Sequence, residues 1–122
     1  MTEQMNPGKL DFEALRRGIE HSDAELLASL YAEDAEFRTV NKNSTPSSPM
    51  VLRGKEAIAE MLRDVGGREM VHHVENEVVG EDRVAYNEVC EYPDGLKVLA
   101  ATTLELRDGK IARQVNVEAW DE

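Results

Sequence analysis

The chain has 122 residues, 41% of them apolar, and a formal net charge of -11. That length gives a single domain with room for a real core. No basic stripe offsets the acidic balance, so nucleic acid and anionic membrane surfaces are excluded as expected partners.

Residues 1–8 are polar and end in Pro-Gly; they are expected to be a flexible tail, with one domain over 9–122. Leu10, Phe12, Leu15 and Ile19 recur at a loose helical period, ending near His21. Ser22-Asp23-Ala24-Glu25 has the pattern of a capping box, Ser22 and Glu25 reciprocally capping a second helix. That helix carries Leu26, Leu27, Leu30 and Tyr31 on one face and is expected to stop near Glu33-Asp34. Ala35 to Val40 has the alternation of a short strand. Asn41 to Pro49 is a loop of turn-forming residues. Val51-Leu52-Arg53-Gly54 leads into a third helix with Ala57, Ile58, Met61, Leu62 and Val65 at helical spacing, and Gly66-Gly67 is expected to close it as a left-handed C-cap.

Four strands are expected next: Met70–Val79, Val84–Tyr92, Leu96–Arg107 and Lys110–Trp120. Gly80 to Arg83, Pro93-Asp94-Gly95 and Asp108-Gly109 turn the chain between them. Short turns between long strands imply an antiparallel meander, and helices followed by strands imply an α+β fold.

One cysteine, Cys90, permits no disulfide within the chain, and a cysteine-based metal site is expected to be excluded. His72 and His73 adjoin on a strand and point to opposite faces, so the pair is a poor metal site. No metal and no cofactor are expected. The lone thiol suits a reducing compartment. The opening residues contain no apolar leader, and no apolar run reaches the roughly 18 residues of a membrane span. A cytoplasmic location is expected.

Three stretches occur in order: IEHSDAELLASLYAEDAEF, LRGKEAIAEML and LELRDGKIARQVNVEAWDE. Together, over roughly residues 10 to 122, they resemble the SnoaL-like branch of the nuclear transport factor 2-like superfamily. The resemblance implies a cone-shaped, cystatin-like fold: three N-terminal helices packed on a strongly curved, mostly antiparallel sheet, with an elongated pocket on the concave side. It also implies a homodimer formed through the convex face, where Val89, Leu99, Ala101, Val115 and Val117 are too apolar to leave in water. The superfamily includes ketosteroid isomerase, polyketide cyclases, scytalone dehydratase, limonene epoxide hydrolase and many binding domains, so the fold alone does not choose a function.

Matched by position, the isomerase's catalytic tyrosine and two aspartates fall on Leu15, Thr39 and Thr102, none of which can take their roles. The arginine and two aspartates of limonene epoxide hydrolase fall on Glu88, Cys90 and Asn116, which again do not reproduce the set. The same matching turns a polar set inward. On the second long strand it places Tyr86, Glu88 and Cys90 inside, on the third Thr102, and on the last Gln114, Asn116, Glu118 and Trp120, with Trp120 near the rim. Tyr31 and Thr39 add hydroxyls.

Glu88, Glu118 and His72 are the candidate catalytic residues; Tyr31, Thr39, Tyr86, Cys90, Thr102, Gln114, Asn116 and Trp120 are candidate ligand contacts. Glu88 among tyrosine, cysteine and apolar walls suits a general acid or base; its bland alternative is a place near the open mouth, or a structural ion pair with an arginine such as Arg38 or Arg53. His72 belongs to VHHVEN, which resembles the opening of the first long strand in the SnoaL-like branch, and is expected to share a face with Val74 and Asn76. Its alternative is a structural histidine at the sheet rim. Cys90 is expected to be a small core residue rather than a nucleophile. Two functions follow: an acid/base enzyme of isomerase, dehydratase, cyclase or epoxide hydrolase type acting on a small, partly polar organic molecule, or a non-catalytic ligand-binding or dimerisation module.

Overall fold

The structure, a computed structural model, describes residues 9–121; the expected tail at 1–8 lies outside the described residues. Three helices, α1 (Phe12–Glu20), α2 (Ala24–Ala28) and α3 (Lys55–Gly66), accompany six strands: β1 (Tyr31–Val40), β2 (Met50–Arg53), β3 (Val71–Val79), β4 (Arg83–Glu91), β5 (Lys97–Arg107) and β6 (Lys110–Trp120). The strands form one sheet in the order β2-β1-β6-β5-β4-β3. All neighbours are antiparallel except β1 and β6, which run parallel. The fold is α+β. Among the described residues no helix is long and apolar enough to cross a membrane.

Local chemistry explains where the elements begin and end. Asp11 caps α1, its carboxylate accepting from the Ala14 N–H at 3.1 Å. Asp23, not Ser22, caps α2, accepting from the Leu26 N–H at 3.1 Å. The turn out of α1 is closed by the Asp23 N–H on the Gly18 carbonyl, and it holds Ser22 at φ 54°, outside the extended conformation of a cap. Glu25 is then free to reach Arg63 on α3.

The second helix is also shorter than its leucines imply. The Leu30 carbonyl accepts from the Ile111 N–H, and Tyr31 is drawn into register beside Ile111, so the sheet claims the chain where a third helical turn would have formed. Tyr31 therefore begins a strand. Val51, Leu52 and Arg53, read as part of a lead-in to α3, belong to β2, which pairs with β1 as an edge strand. At the end of α3, Gly67 stays right-handed at φ -83°. Gly66 is needed for close approach instead: a Cβ there would sit 3.2 Å from the Ser22 carbonyl oxygen.

Register irregularities fall in β1 between Tyr31 and Glu36, in β3 between Glu75 and Val78, and between β5 and β6 at Glu105/Leu106. Such bulges bend a strand and strengthen its twist, which gives the sheet a concave side. The helices cover that side. Leu15, Ile19, Leu27, Phe37, Ile58, Val84, Leu104 and Ile111 form the core between the two layers. On β5 the alternation is strict: Val98, Ala100, Thr102 and Leu104 are buried, while Leu99, Ala101 and Thr103 are exposed.

Candidate functional site

A cavity of about 320 Å³ lies between the helices and the concave face of the sheet. Its helical wall is apolar, built from residues such as Leu15, Ile19, Leu27, Met61 and Leu62, and Met50 of β2 closes one side. Tyr31, Thr39, His72, Tyr86, Glu88, Cys90, Gln114, Asn116, Glu118 and Trp120 also line it. Thr102 is buried on the same face but is absent from the lining. Its hydroxyl donates to the Asn116 side-chain oxygen at 2.9 Å.

The polar floor is a connected network. The Tyr31 hydroxyl donates to the Gln114 side-chain oxygen, the Gln114 amide donates to the Asn116 oxygen at 2.9 Å, and the Asn116 amide reaches the Thr39 hydroxyl at 3.3 Å and the Arg38 carbonyl at 3.4 Å. Polar groups turned into a cavity need partners, which a ligand or ordered water could supply. These groups instead partner one another, which satisfies the desolvation cost of burying them. Among the described residues, the buried side-chain polar atom left without a partner is Arg38 Nε.

A second polar cluster stands on β3 and β4. His72 and Cys90 are directly opposed in the ladder, and Glu88 stands two residues before Cys90 on the same face. The Glu88 carboxylate oxygen lies 3.0 Å from His72 Nδ1 and accepts from the Cys90 thiol at 3.4 Å, while Nδ1 and Sγ are 3.3 Å apart. His72 is 5% exposed and the Glu88 side chain 22%. Carboxylate and sulfur both face the same ring nitrogen, so no relay passes from thiol through imidazole to carboxylate.

Burial first, and then the Glu88 charge, push the Cys90 thiol well above its ordinary range. This agrees with a protonated, unreactive thiol. Burial and the same carboxylate also push the phenols of Tyr31 and Tyr86 upward. Arg38 and Arg53 do not reach Glu88; both pair with Glu36. His73 is exposed on the opposite face.

At the rim, Glu118 accepts from the Asn41 amide at 3.0 Å and from the Trp120 indole at 3.1 Å. Trp120 meets the Tyr92 ring edge-on at 6.3 Å and has the Lys42 ammonium 5.5 Å from its centroid. Asn76 departs from expectation. At φ 57° it falls within the β3 irregularity, is exposed, and bonds Asn87 at 2.9 Å rather than sharing the inner face with His72 and Val74. The His72–Glu88–Cys90 cluster was missed as a unit. The expected exclusion of every cysteine-based metal site is too broad: a lone cysteine excludes a multi-cysteine one, but not a mixed set of donors from neighbouring strands.

The profile of the SnoaL-like domain matches residues 12–114, most of the chain. The chain belongs to the SnoaL-like domain family. Among curated proteins none matches the sequence.

Solved structures agree with this SnoaL-like assignment at the level of fold. A provisionally named ketosteroid isomerase from Kribbella flavida superposes with a TM-score of 0.71 at 16% identity, covering 91% of this chain and 75% of that one. A nuclear transport factor 2-like protein of unknown function from Mesorhizobium loti gives 0.77 at 17% identity, over 96% and 97%. An epoxide hydrolase of the LEH-like type from M. tuberculosis gives 0.66 at 15% identity, over 88% and 79%. At such identities the likeness is one of fold, and the chemistry of this SnoaL-like protein rests on its own residues.

Proposed function

We propose that this SnoaL-like protein binds a small, partly polar organic molecule in its concave cavity and acts on it by proton transfer. One observation carries the reading: the Glu88 carboxylate, held 3.0 Å from His72, stands on the wall of a mainly apolar cavity large enough for a compact organic molecule. Glu88 is the general base or acid, and His72 orients it and stabilises the charge it takes up or gives away. Tyr86, buried on the same face of β4, supplies a neutral phenol above the ordinary tyrosine range. Glu118 is tied to Asn41 and Trp120, so it serves the rim rather than the reaction. The free thiol of Cys90 suits a reducing, cytoplasmic setting.

Trp120, the sole tryptophan, lines the cavity and makes a built-in fluorescence reporter. Titration with a panel of small cyclic ketones, enones and epoxides is expected to give saturable quenching with at least one class. Ala100→Phe, which fills the cavity from β5, should abolish it. Glu88→Gln should keep the quenching and lose about 100-fold or more in turnover, the usual contribution of a positioned acid or base. If no member of the panel quenches, or if Glu88→Gln turns over as wild type does, the enzymatic reading fails.

A second reading is a non-catalytic binding or dimerisation module, and the self-satisfied polar floor favours it. A floor with no orphaned donor does not demand a ligand for stability. The outer sheet face supports dimerisation: Leu99 and Val117 are 49% and 51% exposed, on neighbouring strands.

A further inference from the structure

We infer that His72, Glu88 and Cys90 form a binding site for one divalent d-block cation of the zinc class, open toward the cavity. Their donor atoms, Nδ1, Oε2 and Sγ, form a triangle with sides of 3.0, 3.3 and 3.4 Å. In a tetrahedral site with bonds of about 2.0–2.3 Å, neighbouring donors stand roughly 3.2–3.6 Å apart. The triangle therefore has nearly the size of one face of such a tetrahedron, and a spread of a few tenths of an ångström would seat the ion. The fourth position is left for water or a ligand.

The backbone already fixes this arrangement. His72 and Cys90 are opposed partners in the β3–β4 ladder, and Glu88 points the same way two residues along β4. The three donor atoms lie within 4.8 Å of one another, and all three residues line the cavity. The donor types choose the ion. An imidazole and a sulfur select borderline or soft cations, whereas magnesium and calcium need sets of oxygens. One thiolate and one carboxylate would balance the charge of a divalent ion. Binding would displace the thiol proton, so affinity should rise with pH.

The inference goes beyond the proton-transfer reading and does not depend on it. An ion on Glu88 and His72 would occupy the lone pairs a base needs, so the two roles exclude each other at any one moment. Metal binding can therefore fail while organic-ligand binding succeeds, or the reverse.

Cobalt(II) added to tag-free, chelator-stripped full-length protein is the probe, followed by absorbance and calorimetry. One ion per chain is expected, with a near-ultraviolet thiolate-to-cobalt band that zinc abolishes by competition. Cys90→Ser should remove the band, and Cys90→Ser or Glu88→Gln should weaken binding by more than the ~10–100-fold that loss of an outer-shell partner costs. A cooperative thermal melt of each variant checks that it is folded. His73→Ala, on the opposite face, should bind as wild type does. Failure to take up cobalt in excess, survival of the band in folded Cys90→Ser, or an equal loss in His73→Ala would each overturn the inference.

Discussion

Tyr31 and Tyr86 are 3% and 4% exposed, and both phenols sit within the influence of the Glu88 carboxylate. Burial, and to a lesser extent that charge, favour their neutral forms, so both ionise far above the ordinary tyrosine value of about 10. In the unfolded chain they would ionise near that ordinary value. Between the two values the native state holds protons that the unfolded state has released, so stability falls as pH rises above about 10. Each tyrosine contributes at most about 1.4 kcal/mol of lost stability per pH unit in that window. Urea unfolding midpoints should begin to fall above about pH 8.5, where the Cys90 thiol ionises only in the unfolded chain, and drop steeply above about pH 10 as the two phenols join it. Tyr86→Phe should remove about a third of the slope above about pH 10. Tyrosinate absorbance for two of the three tyrosines should appear only with unfolding; a midpoint that stays level to about pH 11 would contradict this assignment of the phenols.

At the scale of elements, the caps give the sharpest contrast. If Asp23 starts α2, Asp23→Ala should destabilise the protein by about 1 kcal/mol, and Ser22→Ala by no more than about 0.5 kcal/mol. Thermal melts that show the larger loss at Ser22 would restore the capping box the sequence suggests. Ser22 was misplaced because the C-terminal turn of α1, closed by the Asp23 N–H on the Gly18 carbonyl, twists Ser22 to φ 54° and moves the cap to Asp23. Tyr31 and the run Val51, Leu52 and Arg53 went astray for a tertiary reason: pairing with β6 and β1 overrides helical spacing and lead-in composition. On β5, where one face is buried from Val98 to Leu104, alternation was enough; on β6 alternation alone would have turned Val115 and Val117 inward, and only the family resemblance turned Gln114 and Asn116 to the cavity side. The site fell between these cases. Counting back from the turn after β3 pairs Val79 with Val84, and an unbroken ladder would set His72 opposite Glu91 on the outer face. The extra residue at the Asn76 irregularity shifts the register by one and sets His72 opposite Cys90 on the inner face. A bulge that no residue pattern announces thus decides whether His72 and Glu88 meet.

For the whole molecule, the open question is what covers the outer face of the sheet. Register places Val89, Leu99 and Ala119 in one row across β4, β5 and β6, and Ala101 beside Val117 in the next. Leu99 and Val117 are half exposed, and with Ala101 and Ala119, also exposed, they form a contiguous apolar strip rather than scattered side chains. A strip of that kind marks an interaction surface. A second copy of the chain is an apt occupant. A two-fold contact places the same patch against itself, and an uncharged strip is where two chains of net charge -11 can meet with least repulsion. Wild-type protein should sediment as a dimer at micromolar concentration. Leu99→Glu and Val117→Glu would each set a like-charged pair near the two-fold axis, and each should yield a monomer. Because both side chains point away from the cavity, the monomers should retain cooperative melting and the Trp120 response to ligand. A monomeric wild type would remove the dimer, and a dimer indifferent to both substitutions would move its interface to another face.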